Sequence, residues 1–197
     1  MLLYLINPYN PMVSNVKSKL NRWNSYTVWK PLGLLVVAGL APRDCEIVVF
    51  DENVDRRDYA TLPVPDLVGI TAFTSQADRA YKIAKEFRHR GVSVVMGGIH
   101  ATMCPEEASG YVDSIVTGEA ESVWADVLSD ATKGTLQPVY NGTQSRLAKS
   151  PIPRHDLLPH GYRFGSIQTT RGCPLSCNFC SVTAFNGRHY RHRPIPN

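Results

Sequence analysis

The chain has 197 residues, 43% of them hydrophobic and 19% charged, with a formal net charge of +4. Such a composition suits a globular protein that buries a core, and its mild, dispersed charge gives no ground for expecting a nucleic-acid partner; basic residues cluster only between Arg188 and Arg193. The longest apolar run, Leu32 to Ala41, is far short of the roughly 20 residues of a bilayer span, and Met1 to Ile6 lacks the basic flank of a signal peptide, so a cytoplasmic chain without a transmembrane segment is expected.

In chain order, short apolar runs alternate with helical stretches. LLYLI (2–6), EIVVF (46–50), LVGITAF (67–73), VSVVMGG (92–98) and DSIVTG (113–118) each end in a polar or glycine loop, as buried parallel strands do. Between them, Pro31 to Leu40 reads as a helix opened by proline. Gln76 to Arg90 is the clearest helix: Ala77, Ala80, Tyr81, Ala84 and Phe87 share a face, Ser75 precedes Asp78 by three residues as a capping signal, and Gly91 stops it. Further helices are expected after Pro105 and over Ser122 to Ala131. The pattern predicts a doubly wound, flavodoxin-like (Rossmann-like) α/β domain over residues 1–140 with a five-stranded parallel sheet. Its ligands belong outside the carboxyl ends of the strands, in the loops after residues 6, 50, 73, 98 and 118.

The first of these loops, Asn7-Pro8-Tyr9-Asn10-Pro11, lacks G-x-G-x-x-G, and proline offers no N–H to a pyrophosphate, which argues against a nicotinamide or flavin dinucleotide. A long insert comes next, in which Trp23, Tyr26 and Trp29 alternate with Lys17, Lys19 and Arg22; it reads as a cap over a cofactor or neighbouring domain, the alternative being a surface for stacking bases. GGIHAT (97–102) places two glycines at a strand end where a bulky ligand can approach the backbone, and TGEAES (117–122) adds Gly118 with Glu119 and Glu121. Both stretches also read as tight turns with capping carboxylates, and His100 as a hydrogen-bonding loop residue or a metal ligand.

Residues 141–163 form a proline-rich linker, and FGSIQTTRG (164–172) then reads as one strand leading into Cys173, Cys177 and Cys180. An odd total of five cysteines, three of them crowded together, argues against a disulfide framework and for thiols that bind metal or react. Three clustered thiolates suit an iron–sulfur cubane with one iron left open to a substrate. A Cys3His zinc site completed by His189 or His192 is the competing reading.

TTRGCPLSCNFC (169–180) resembles the first strand and cluster loop of the radical S-adenosylmethionine superfamily. That resemblance implies a [4Fe-4S] cluster on Cys173, Cys177 and Cys180, S-adenosylmethionine on the open iron, and Phe179 near its adenine. Residues 31–53, VVMGGIHATMCPEE (94–107) and IVTGEAE (115–121) resemble the cobalamin-binding domain that precedes the barrel in one large branch, and PRHDLLP (153–159) and FNGRHYRHRP (185–194) resemble that branch's linker and post-cluster segment. The implied organisation is a cobalamin domain over 1–140, the linker, and an incomplete start of a radical barrel over 164–197. Cobalamin contacts are expected from Asn7, Pro8, Thr71, Ser75, Gly97, Gly98, His100, Gly118 and Glu119.

Many cobalamin domains carry D-x-H-x-x-G after the first strand; INPYNP stands there instead, so cobalamin is expected base-off with no protein imidazole below cobalt. The resemblance implies reductive cleavage of S-adenosylmethionine to a 5′-deoxyadenosyl radical and methylation of an unactivated carbon, or a related radical reaction. Its implied partners are a small-molecule or lipid substrate and an electron donor such as flavodoxin or ferredoxin. The competing functions are a cobalamin carrier or sensor without turnover and a zinc-stabilised interaction domain. Because a full (β/α)8 barrel takes about 250 residues, the 197-residue chain is expected to be an inactive fragment whose first barrel strand, lacking neighbours, either disorders or pairs with a second copy.

Overall fold

The computed structural model describes residues 1–12, 30–158, 160–162 and 164–194. The insert carrying Lys17, Lys19, Arg22, Trp23, Tyr26 and Trp29 lies outside the described residues. Strands β1 (Leu2–Asn7), β2 (Glu46–Asp51), β3 (Leu67–Thr71), β4 (Ser93–Gly97), β5 (Ser114–Thr117) and β6 (Val139–Asn141) form a parallel six-stranded sheet in the order β2-β1-β3-β4-β5-β6. The first five strands have the flavodoxin-like order expected from the sequence. Among the described residues no helix is long and apolar enough to cross a membrane.

Alternation along the strands divides the core into two layers. Leu3 and Leu5 of β1 pack with Leu34, Leu35 and Ala38 of α1 (Leu32–Leu40) and Trp124, Val127 and Leu128 of α5 (Trp124–Lys133). Tyr4 and Ile6 face the other way, onto Ala80, Ile83, Ala84 and Phe87 of α2 (Ala77–His89). Two short helices, α3 (Gly98–Met103) and α4 (Pro105–Ser109), complete that second layer through Ala101 and Ala108.

Three local expectations are corrected. Ser75 does not cap α2: the Gln76 carboxamide turns back to accept from the Phe73 N–H at 2.9 Å, and a 3-10 turn over Thr74–Gln76 leads into the helix. The GGIHAT stretch is not a plain loop, since α3 begins at its second glycine. Residues 164–172 are not one strand. Within them only Thr170–Arg171 forms a strand, β7, which pairs antiparallel with β8 (Arg191–His192), and Ile167 is exposed. A strand needs a partner to satisfy its backbone, and after the short α6 (Val182–Asn186) the chain returns to supply β8 beside β7.

The sheet has six strands rather than five, because the three residues after Pro138 that form β6 carry no readable alternation. This strand docks through backbone contact. The Gly142 N–H donates to the Thr117 carbonyl at 2.8 Å, and a Cβ on Gly118, whose φ is +68°, would stand 2.3 Å from the Gly142 carbonyl oxygen. Gly118→Ala is therefore expected to lower unfolding stability by about 1–3 kcal/mol. Gly134→Ala, with φ +70° but open space around its Cβ, should cost less. Urea denaturation of both variants checks the comparison.

Candidate functional site

A cleft of about 640 Å³ opens at the carboxyl ends of β1, β3, β4 and β5, on the layer that holds α1 and α5. That is within the size range of small-molecule and cofactor sites. Its floor is apolar: Leu5, Gly69, Val95, Val116 and Trp124. Gly69 sits mid-strand, and its missing side chain makes room for two other floor residues: a Cβ there would come within 2.8 Å of Leu5 Cδ2 and 3.4 Å of the Trp124 ring. One wall is α1, with Gly33, Val36 and Val37, and the far rim is closed by Gln168, Arg171, Phe185 and Asn186. A second depression, about 940 Å³ and bordered by Lys82, Lys85, Arg88 and Asp113, lies at the amino ends of β4 and β5. That edge is opposite to the one where α/β sheets bind ligands.

Of the residues expected around a cofactor, Asn7, Thr71, Gly97, Gly98, Gly118 and Glu119 line the cleft. Pro8, Ser75 and His100 are not among its lining residues. The Pro8 carbonyl accepts from Asn53 and Gln76, and the Asn7 carboxamide is held between Asp51 Oδ1 (3.0 Å) and Gln76 Nε2 (3.1 Å). His100 lies buried in α3, with Nε2 2.6 Å from the Tyr81 hydroxyl and Nδ1 3.4 Å from Thr74 Oγ1. The Tyr81 hydroxyl also donates to Glu107 at 3.0 Å, and burial, with this carboxylate as the lesser cause, pushes its phenol up. His100 thus serves the packing of α2 against α3. The apolar floor escapes sequence reasoning because its members come from four strands and a helix. The one local signal for it is Gly69, an isolated glycine inside an apolar strand.

Charged groups seal the rim. Glu119 is 5% exposed. It accepts from Arg191 Nη1 at 2.9 Å, from Arg171 Nη1 at 2.9 Å and from the Ser145 N–H at 2.8 Å. Arg171 Nη2 also donates to Glu121 at 2.7 Å. Burial by itself raises the Glu119 carboxyl, but the hydrogen bonds from Arg191 and Ser145, with the two guanidinium charges, outweigh it and hold the group below the usual carboxylate range.

Cys173, Cys177 and Cys180 are free thiols on one loop, Cys177 exposed and the other two half-buried. The Cys173 N–H donates to the Gly187 carbonyl and the Cys180 N–H to the Cys177 carbonyl, both at 3.2 Å. Among the described residues no three His, Cys, Asp or Glu side chains are gathered as for a metal ion. The donor chemistry suits an iron–sulfur cluster; the side chains are not drawn together. Phe179 is 92% exposed beside them.

A family model described as the B12 binding domain matches residues 19–128. Among curated proteins, the bacteriochlorophyllide d C-8(2)-methyltransferase of Chlorobaculum tepidum is 36% identical over 179 residues, covering 82% of this chain and 38% of that protein. The cobalamin-dependent radical SAM methyltransferase TokK of Streptomyces tokunonensis is 30% identical over 148 residues, covering 59% of this chain and 22% of that protein. The chain thus spans well under half the length of these relatives. The solved structure of the cobalamin-dependent S-adenosylmethionine radical enzyme OxsB with aqua-cobalamin bound shares the fold, with a TM-score of 0.70 at 15% identity, over 99% of this chain and 30% of that one.

Glu119→Gln is expected to destabilise the fold by about 3–5 kcal/mol at neutral pH, because it leaves buried guanidinium charge uncompensated. A carboxyl whose folded pKa is depressed contributes stability that is present above its unfolded value, about 4.3, and is lost as pH falls through the folded one. The gap between wild type and variant should therefore be flat from about pH 6 to 8 and close only in acid, as denaturant titrations across that range would show.

Proposed function

The chain belongs to the B12-binding domain family, and on that premise we propose that the cleft beneath α1 holds the nucleotide tail of a base-off cobalamin while the cysteine loop holds a [4Fe-4S] cluster. The observation that carries this reading is the cleft of about 640 Å³ at the carboxyl ends of the strands, with its apolar floor of Leu5, Gly69, Val95, Val116 and Trp124 and α1 as one wall. Thr71, Gly97 and Gly98 border it and would hold the cofactor against the backbone. No histidine stands among the lining residues described, and Asn7 is spent on Asp51 and Gln76, so the loop after β1 has no imidazole to offer cobalt.

When bound, the cluster supplies the electron that cleaves S-adenosylmethionine and cobalamin supplies a transferable methyl group. The protein's own part is to orient and to exclude water. Leu5, Val95, Val116 and Trp124 desolvate the tail, α1 bounds the cleft on one side, and Cys173, Cys177 and Cys180 provide three thiolates. We assign the chain on this basis to an enzyme that methylates an unactivated carbon, or performs a related radical reaction, on a small-molecule or lipid substrate. Its electron donor would be a flavodoxin or ferredoxin. A carrier without turnover has no need of three clustered thiols, which favours the enzyme.

Cobalamin added to the protein should bind with a base-off absorption spectrum, and its Co(II) form should lack the strong nitrogen hyperfine splitting of an axial imidazole. Gly33→Phe places a ring in the cleft from a position where a Cβ meets nothing within 4 Å; it should weaken cobalamin binding about tenfold or more, about 1.4 kcal/mol, with thermal unfolding unchanged. Anaerobic reconstitution with iron and sulfide should give a visible charge-transfer band that Cys173→Ala, Cys177→Ala or Cys180→Ala each abolishes. Stoichiometric zinc with no iron uptake would overturn the cluster assignment.

A further inference from the structure

We propose that Glu119 is a positioning residue whose carboxylate holds the cysteine loop over the cleft by neutralising two arginines that face each other across the β7–β8 ribbon. The identity of the two cofactors rests on the function proposed for the cleft and the loop; the charge balance stands without it.

Arg171 and Arg191 are direct register partners in that antiparallel ribbon. Like charges directly opposite one another destabilise a strand pair, and these two side chains are only 10% and 16% exposed, so water screens them poorly. Glu119, from the loop after β5, accepts from both, and Glu121 takes the remaining face of Arg171. The result is a buried quartet of two carboxylates and two guanidinium groups with no net charge. Arg191 also donates to the carbonyls of Ser145 and Asn186, both at 2.9 Å, which ties the linker and the end of α6 to the same point.

The ribbon brackets the cysteines. Arg171 precedes Cys173 by two residues, and the intervening Gly172 packs so tightly that a Cβ would fall 2.1 Å from the His189 carbonyl oxygen. The Cys173 N–H is then fixed on the Gly187 carbonyl. Moving the ribbon therefore moves the first thiol of the loop. Glu119 belongs at once to the cleft lining and to the ribbon's charge balance, so it sets where the cysteine loop lies relative to whatever the cleft holds. Both its oxygens are occupied by arginines and a backbone N–H, which makes it a support of the site rather than a contact to the corrin.

The test has one arm without cofactors and one with them. In cofactor-free protein, Glu119→Gln should speed hydrogen exchange at the Cys173 and Arg193 amides about tenfold or more beyond the change at amides of β1 and β3, which report the loss of global stability. The double variant Glu119→Gln/Arg191→Gln leaves Arg171 paired with Glu121 and no unbalanced charge, and should restore part of the protection. In protein loaded with Co(II) cobalamin and reduced cluster, compared at equal occupancy of both centres, Glu119→Gln should weaken the spin–spin relaxation enhancement between them, and the double variant should recover part of it. Unchanged exchange at Cys173 and Arg193, or unchanged spin coupling with both centres bound, would overturn the positioning role. Wild-type protein that takes up neither cofactor would overturn the cofactor assignment, and the exchange arm would still decide whether Glu119 holds the ribbon.

Discussion

The crossovers that leave β1 and β3 run in opposite directions along the sheet, one to β2 and the other to β4. Because parallel crossovers are right-handed, that divergence forces α1 and α2 onto opposite layers. The α2 layer is filled by a full amphipathic helix with Phe87 and Ile83 at its centre. The other layer has α1 and α5 with a mid-strand glycine between them. The space between α1 and the carboxyl ends of the strands is the cleft, so the site follows from connectivity rather than from any cluster of polar groups.

Two buried carboxylates guard the loops around this opening. Glu52 accepts from Arg79 Nε at 2.8 Å, from the Tyr59 hydroxyl at 3.3 Å and from the Tyr9 N–H at 3.0 Å, ordering the segment after β1. Glu119 does the same for the segments that bear the cysteines. Each carboxylate recruits guanidinium groups from distant parts of the chain. Buried ion pairs add little net stability once desolvation is counted, yet they are costly to break singly. They serve here to hold the loops around the cleft in one arrangement.

The loop after β1 illustrates how a departure from a family pattern can be structurally complete. Asn7, Asp51, Asn53 and Gln76 form a closed hydrogen-bonded set, joined by the Tyr162 hydroxyl, which donates to Asp51 at 2.7 Å. Burial and that carboxylate push the Tyr162 phenol well up, so it remains a donor. A histidine is not merely absent from this loop; its polar groups are already paired with one another.

Short apolar runs, the amphipathic face from Ala77 to Phe87 and the cysteine spacing are readable without coordinates, because each depends on residues within a few positions of one another. They suffice for the α/β class, the first five strands, the edge of the sheet that carries the cleft, and the thiol loop. Other features are settled only by folding. β6 exists because Gly118 and Gly142 allow their backbones to touch; His100 turns away from the cleft because Tyr81 and Thr74 hold it. The partners of Glu119 lie 52 and 72 residues away, at Arg171 and Arg191. Local pattern records which face a residue prefers, whereas the pairing of a buried charge is decided by which distant segments the topology brings together, and no periodicity encodes that.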